Sequence, residues 1–121
     1  ERSSGQWDKG KAFDTFGPIG PYIVTKDEIK DVQNLNLELK LNGKVMQKGN
    51  TQDMIFKVTH LVSYLSYFMT LKPGDIITTG TPPGVGMGRK PQVFLKDDDE
   101  MTLSINSLGE QKQKVISSKA V

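Results

Sequence analysis

The chain has 121 residues, of which 36% are hydrophobic and 25% charged, and its 16 basic and 14 acidic side chains leave a net charge of +2. This composition is typical of one folded domain and excludes disorder, collagen or a coiled coil as a description of the whole chain. The near balance of charge argues against a nucleic-acid partner, and no apolar run reaches the roughly 20 residues that span a bilayer. The absence of cysteine excludes disulfides and thiolate sites, and the single histidine, His60, excludes any site that needs two imidazoles.

The first part of the chain is predicted to contain short strands and one hairpin. A β-branched and aromatic run at residues 22–25 predicts a strand. Leucines alternate with polar residues over residues 35–41, which predicts a strand with one buried face. Asn42-Gly43 follows directly and is a preferred pair for a type I′ turn, so residues 44–48 are expected to return antiparallel.

The middle of the chain is predicted to form the main helix. Apolar side chains recur at helical intervals and predict one amphipathic helix over residues 54–69. Thr51 or Asp53 is expected to cap the first turn. The Lys-Pro-Gly sequence at residues 72–74 is expected to end the helix.

The remaining elements are predicted to be mainly strands. A β-branched run at residues 76–79 is expected to be a buried strand that enters the glycine- and proline-rich loop at residues 80–88. Alternation at residues 101–105 predicts a further strand, residues 111–116 are expected to form the last strand, and residues 117–121 are expected to fray. This order of elements predicts an α+β fold that is mainly β, with an antiparallel sheet.

Two glycine-rich stretches approach nucleotide-binding motifs but lack essential parts. Residues 5–12 nearly match a phosphate-binding loop, yet Ala12 has no hydroxyl for magnesium and no strand precedes Gly5. Residues 84–88 do not continue into a dinucleotide fingerprint, because Arg89 stands where the last glycine is needed and no helix is expected to follow. Nucleotide binding is therefore not predicted.

The loop at residues 79–86 is the strongest candidate site that the residues suggest. Threonine hydroxyls and glycine amides at the end of a strand can donate hydrogen bonds to a carboxylate. Loops carried on a rigid sheet commonly hold binding sites. A tight connection built from small residues is the other interpretation, and the sequence leaves both open.

The acidic run and the histidine do not predict a metal or catalytic centre. Residues 97–100 are four consecutive acidic residues without calcium-loop spacing, and they cannot all face one ion, so a solvated turn is expected. His60 is expected to be structural or at the surface, because it has no second histidine and no nucleophile elbow beside it. The residues alone give no complete catalytic constellation.

Four motifs nevertheless occur together in one order. They are GQWDKGKAFDTFGPIGP at residues 5–21, NG at 42–43, GNTQDMIF at 49–56 and LKPGDIITTGTPPGVG at 71–86. Their order and spacing resemble the fumarylacetoacetate hydrolase family over nearly all of the chain. The likeness is greatest to members described as 2-hydroxyhepta-2,4-diene-1,7-dioate isomerases, acylpyruvate hydrolases or oxaloacetate decarboxylases.

The resemblance implies a fold, an assembly and a reaction class. The fold would be a layered, mixed β-sheet with few helices, assembled as a homodimer in the cytoplasm or, in a eukaryote, the mitochondrion. The implied cofactor is Mg²⁺ or Mn²⁺, which would chelate the 2-oxo end of a small 2-oxo or β-diketo acid. The ion would stabilise the enolate formed in carbon–carbon bond cleavage, decarboxylation or double-bond isomerisation. Catabolism of aromatic compounds is the implied setting.

The resemblance also implies roles for three residues. Lys11 matches a lysine near the site, where a cation would stabilise developing negative charge. Thr81 matches a threonine that hydrogen-bonds a substrate carboxylate, and Gly80 allows close approach. In the family, the Glu-x-Glu pair and aspartate that hold the metal, and the catalytic histidine–glutamate pair, precede the position equivalent to Gly5. The chain is therefore expected to contribute no metal ligand.

The motifs and the family resemblance lead to two competing hypotheses. The first is that residues 1–121 form a single partial domain from the C-terminal half of an enzyme, inactive alone, which fits a chain that starts at Glu1 without methionine. The second is a non-catalytic module that binds a small acid or dimerises. Hydrolase, decarboxylase and isomerase share the enolate, so the sequence leaves the substrate and the reaction open. Asp98 departs from the family pattern, because many members have glycine there.

Overall fold

The computed structural model describes Gly5 and residues 7–117, and a four-stranded antiparallel sheet is its main element. The strands are β1 (Asn36–Leu41), β2 (Lys44–Asn50), β3 (Glu100–Ile105) and β4 (Gly109–Lys114), in the spatial order β2-β1-β3-β4. The α-helices are α1 (Asp8–Lys11) and α2 (Val58–Ser66), and three single 3₁₀ turns are Lys26–Glu28, Thr51–Asp53 and Gly86–Gly88. The expected mainly β fold with few helices is confirmed.

The predicted hairpin is confirmed, together with its turn. Asn42 and Gly43 have φ angles of 49° and 77°, and two positive values in succession are what a type I′ turn requires. The Asn42 side chain donates to Asp99 Oδ1 at 2.8 Å and accepts from the Glu100 backbone N–H at 2.9 Å. These bonds fasten the turn to the start of β3. The hydrogen bond from Asn42 and a second from the Lys96 backbone hold the pKa of Asp99 below its ordinary value.

A bulge in β2 changes the register of the hairpin. Leu39 pairs with Gln47 and Lys40 pairs with Val45, so Met46 is an extra residue in β2. Its carbonyl oxygen accepts a hydrogen bond from the Arg89 guanidinium. The bulge is thus bound to Arg89, directly after the glycine-rich loop. Beside it, β1 and β3 pair in regular register.

The turn before β3 uses a left-handed residue where the family pattern has glycine. Asp98 has a φ of 68°, a conformation that aspartate adopts more readily than most residues. Its carboxylate lies 2.7 Å from Lys114 Nζ. The departure at this position is therefore compatible with the turn.

The bounds predicted for the main helix, residues 54–69, are wrong at both ends. The backbone is extended at Met54 and Lys57, and α2 runs only from Val58 to Ser66. Neither Thr51 nor Asp53 caps it, because the first free N–H of α2, at Val58, donates to Gln33 Oε1 at 3.0 Å.

Two predicted strands, residues 22–25 and 76–79, are not strands in the described part of the chain. Ile23 is 91% exposed and Ile76 is 65% exposed. Strand preference depends on a neighbouring strand that accepts and donates the ladder hydrogen bonds, and neither segment has such a neighbour among the described residues. The strand predicted at residues 111–116 forms two residues earlier, as β4.

Few hydrophobic side chains are fully covered. Among the described residues, only Ile29 and Leu35 are buried, and the leucines of β1 are half-buried. One face of α2, formed by Val58, Leu61 and Leu65, is also half-buried. Across Gly5 and residues 7–117, no helix is both long and apolar enough to cross a membrane.

Candidate functional site

A cavity of about 420 Å³ lies between the end of β2, the segment that precedes α2 and the glycine-rich loop. Its walls are largely apolar and carry a few hydroxyl, amide and carboxylate groups, as is usual in small-molecule sites. The lining residues are Leu37, Gly49, Asn50, Thr51, Asp53, Met54, Ile55, Phe56, Leu61, Thr79, Gly80, Thr81, Pro82 and Pro83. Two of the four motifs, residues 49–56 and 71–86, therefore meet at one site.

The two predicted substrate-binding residues, Gly80 and Thr81, both line this cavity. Gly80 has a φ of 98°, which glycine adopts without strain. Gln47 Nε2 donates to Thr81 Oγ1 at 2.7 Å and to the Pro82 carbonyl oxygen at 2.7 Å. The contact between Gln47 and Thr81 could not be predicted, because 34 positions separate the two residues and no local pattern signals it.

The loop that carries Thr81 is packed closely against β2 and its bulge. A Cβ on Gly49 would lie 2.8 Å from Pro82 Cβ, and a Cβ on Gly84 would overlap the Met46 carbonyl oxygen. Arg89 Nε donates to the Gly84 carbonyl at 3.0 Å, while its terminal nitrogen donates to Met46. These contacts fix the loop without any strand pairing.

The opposite wall is fixed by Gln33 and Thr51. Thr51 Oγ1 accepts from the Leu35 N–H at 2.8 Å and donates to the Val32 carbonyl at 2.9 Å. The Gln33 amide donates to the Thr51 carbonyl and accepts from Val58. One side chain therefore joins the segment that lines the cavity to the first turn of α2.

Lys11, the predicted catalytic residue, does not line the cavity. It is the last residue of α1, it is exposed, and it is absent from the cavity lining. Its role stays a prediction.

His60 lies on an exposed face of α2. Its ring stacks on Phe56, with centroids 5.0 Å apart, and faces Tyr64 at 6.2 Å. Its position agrees with the interpretation of a surface histidine.

The described residues do not fit a divalent metal ion. Over Gly5 and residues 7–117, no three His, Cys, Asp or Glu side chains come together in a way that could hold one. Among the described residues, Asp53 is the only one that supplies a carboxylate to the cavity lining. In the acidic run, Asp97, Asp98 and Asp99 each have a separate partner, namely the Ser117 N–H, Lys114 and Asn42.

Comparison with protein families assigns most of the chain to one of them. Residues 1–116 match the family described as fumarylacetoacetate (FAA) hydrolase C-terminal. Curated relatives include a protein of Burkholderia cenocepacia, strain HI2424, that carries a provisional hydrolase name and is 62% identical over 111 residues. The match covers 91% of this chain and 39% of that relative, so the chain spans about two fifths of its length.

Solved structures of the same kind share the fold. Fumarylacetoacetate hydrolase from Exiguobacterium antarcticum is 41% identical with a TM-score of 0.88, over 91% of this chain and 39% of that one. The 2-hydroxyhepta-2,4-diene-1,7-dioate isomerase from Mycobacterium marinum is 40% identical with a TM-score of 0.81, over 94% and 41%. Maleylpyruvate hydrolase from Sphingobium sp. SYK-6, in complex with manganese(II) and pyruvate, is 37% identical with a TM-score of 0.81, over 88% and 38%.

Proposed function

The chain belongs to the fumarylacetoacetate hydrolase family, and from this premise we propose that its cavity binds the carboxylate of a small 2-oxo or β-diketo acid. The family includes hydrolases and isomerases among the structures that this chain resembles. The whole protein would then cleave a carbon–carbon bond, remove carbon dioxide or move a double bond. These reactions share an enolate, whose negative charge must be stabilised.

The single observation that carries the proposal is the position of Gly80 and Thr81 in a cavity with an apolar wall. A threonine hydroxyl has one hydrogen to donate and can accept two hydrogen bonds. Thr81 Oγ1 already accepts from Gln47, so its hydrogen is available for a ligand. A hydrogen bond to an ionised carboxylate is stronger than one between neutral groups. Met54, Ile55 and Phe56 would contact the hydrocarbon part of the acid.

The proposal includes Mg²⁺ or Mn²⁺ in the whole protein, and the manganese in the maleylpyruvate hydrolase structure supports it. The described residues of this chain have no ligand cluster, so the proposal gives the cavity the substrate carboxylate and not the metal ion. Lys11 is proposed to add a cation near the developing negative charge.

The test compares two affinities for pyruvate. One is that of the naturally expressed protein, which means the protein at its natural length, and the other is that of its Thr81→Val variant. Valine keeps the shape of threonine and removes the donor, so the dissociation constant should rise about 10-fold, as expected for a hydrogen bond to a charged group. Thr78→Val is the matched control, because Thr78 does not line the cavity. Equal affinity in all three proteins would contradict the proposal.

The alternative, a non-catalytic module that binds a small acid or dimerises, is supported by the exposure of large apolar side chains outside the cavity, such as Ile23 and Tyr67, which are 91% and 83% exposed. Turnover of oxaloacetate or an acylpyruvate with added Mg²⁺ separates the two. We expect the naturally expressed protein to turn over substrate, and residues 1–121 alone to be inactive. Binding without turnover in the natural protein would favour the module.

A further inference from the structure

We propose that Gln47 is a positioning residue that directs the hydroxyl hydrogen of Thr81 into the cavity. The inference rests on the proposed function, because it assigns Gln47 a part in carboxylate binding by Thr81. Neither residue is near the other in the sequence, since 34 positions separate them. What joins them is the approach of the glycine-rich loop to β2.

The identity of the partners settles which way the Gln47 amide points. Its nitrogen lies 2.7 Å from the Pro82 carbonyl oxygen, and a carbonyl oxygen can only accept. The amide nitrogen must therefore face Pro82, and the same nitrogen lies 2.7 Å from Thr81 Oγ1. Its two hydrogens thus have two acceptors. Thr81 is an acceptor in this pair, and its own hydrogen is left for another partner.

The bulge in β2 sets the face from which Gln47 reaches the loop. Residues two apart on a strand share a face, and Gln47 and Gly49 both contact Pro82. Met46 is the extra residue immediately before Gln47. If β2 paired with β1 without this bulge, Gln47 would lie opposite Glu38 instead of Leu39, on the other face of the hairpin, and would point away from Thr81.

Other contacts hold the loop independently of Gln47. Pro82 packs on Gly49, and Arg89 binds the carbonyls of Gly84 and Met46. The loss of Gln47 should therefore leave the loop on β2. What changes is the orientation of the Thr81 hydroxyl, which is free to rotate once no donor faces its oxygen.

The variants are chosen so that a positioning role and a merely structural one give different results. Gln47→Leu removes the donor. Gln47→Glu keeps the shape but presents a carboxylate, which accepts the Thr81 hydrogen and also repels an anionic ligand. Thr81→Val and the double variant of Gln47→Leu with Thr81→Val complete a mutant cycle. Gln92→Leu is the matched control, because Gln92 also donates to the loop, at the Met87 carbonyl, but does not contact Thr81.

The probes are pyruvate and its neutral analogue pyruvamide, titrated into the naturally expressed protein and its variants by calorimetry. Wild type and Gln92→Leu should prefer pyruvate. Gln47→Leu should weaken pyruvate binding about 3- to 10-fold with little effect on pyruvamide, and Gln47→Glu should reverse the preference. The double variant should bind pyruvate no more weakly than Thr81→Val.

Each other outcome contradicts either the positioning role of Gln47 or the proposed function. If Thr81→Val weakens pyruvate binding while both Gln47 variants do not, the positioning role fails and the proposed function stands. If the Gln47 variants weaken pyruvate and pyruvamide equally, or the effects of the two sites add in the double variant, Gln47 is only structural. If wild type does not bind pyruvate, or Thr81→Val binds it equally well, the proposed function fails and the inference fails with it.

Discussion

The sheet and the cavity loop, which we define as residues 79–89, differ in what fixes their conformation. The sheet is held by ladders of backbone hydrogen bonds between strands that follow a regular register. The cavity loop has no strand pairing among the described residues and is held by side chains and by Gly84, which touches the bulge of β2. Many weak, repeated contacts maintain the sheet, whereas a few specific contacts maintain the loop. A single substitution should therefore affect the loop more than the sheet.

The largest loss of stability is expected from Gly84→Ala, which should displace the cavity loop and leave the sheet in place. Gly84 has a φ of 108°, and a Cβ there would overlap the Met46 carbonyl oxygen. We expect a cost of about 2 to 4 kcal/mol, since strained backbone and steric overlap act together. Displacement of the loop should abolish pyruvate binding while the amides of β1 and β3 keep their protection in hydrogen exchange.

Gly88→Ala is the control for this prediction. A Cβ on Gly88 meets no atom within 4 Å, so stability should change by less than about 0.5 kcal/mol. Thermal unfolding of the two variants measures the difference. Equal stability of both would show that the close approach of Gly84 to β2 does not hold the loop.

A smaller loss of stability is expected from Asn42→Ala, which changes the turn between β1 and β2. The change removes the hydrogen bonds to Asp99 and Glu100 and places alanine at a φ of 49°. We expect a loss of about 1 to 2 kcal/mol in the free energy of unfolding, measured by urea denaturation. Asn42→Gly separates the two causes, because glycine accepts the positive φ but makes no side-chain bonds. If Asn42→Ala were as stable as wild type, the turn would not fasten β3.

The same contrast explains which features could be predicted from the sequence. Alternating leucines and the Asn-Gly pair are local signals, so the hairpin could be predicted. The ends of α2 could not, because the first turn is capped by Gln33, which is 25 residues away from Val58. The strands expected at residues 22–25 and 76–79 depend on neighbours that residue preference does not provide. The roles of Gly80 and Thr81 were predicted by resemblance and stay predictions, whereas the contact between Gln47 and Thr81 is visible only in the fold.

The smallest effect is the pH dependence that Asp99 gives to the sheet. Hydrogen bonds from Asn42 and from the Lys96 backbone lower the pKa of Asp99 in the folded state. A group with a lowered folded pKa stabilises the fold at pH values above its unfolded pKa, about 3.9, and this contribution is lost as pH falls through the folded pKa. The acid-side loss of stability should therefore be smaller in Asp99→Asn, and also in Asn42→Gly, which lacks the donor. The cavity loop offers the internal comparison, because its contacts through Gln47, Gly84 and Arg89 involve no carboxylate. Urea midpoints between pH 3 and 6, read with hydrogen exchange at the turn and in the loop, measure the difference. A wild-type acid slope unchanged in both variants would mean that the Asn42–Asp99 bond does not couple the turn to pH.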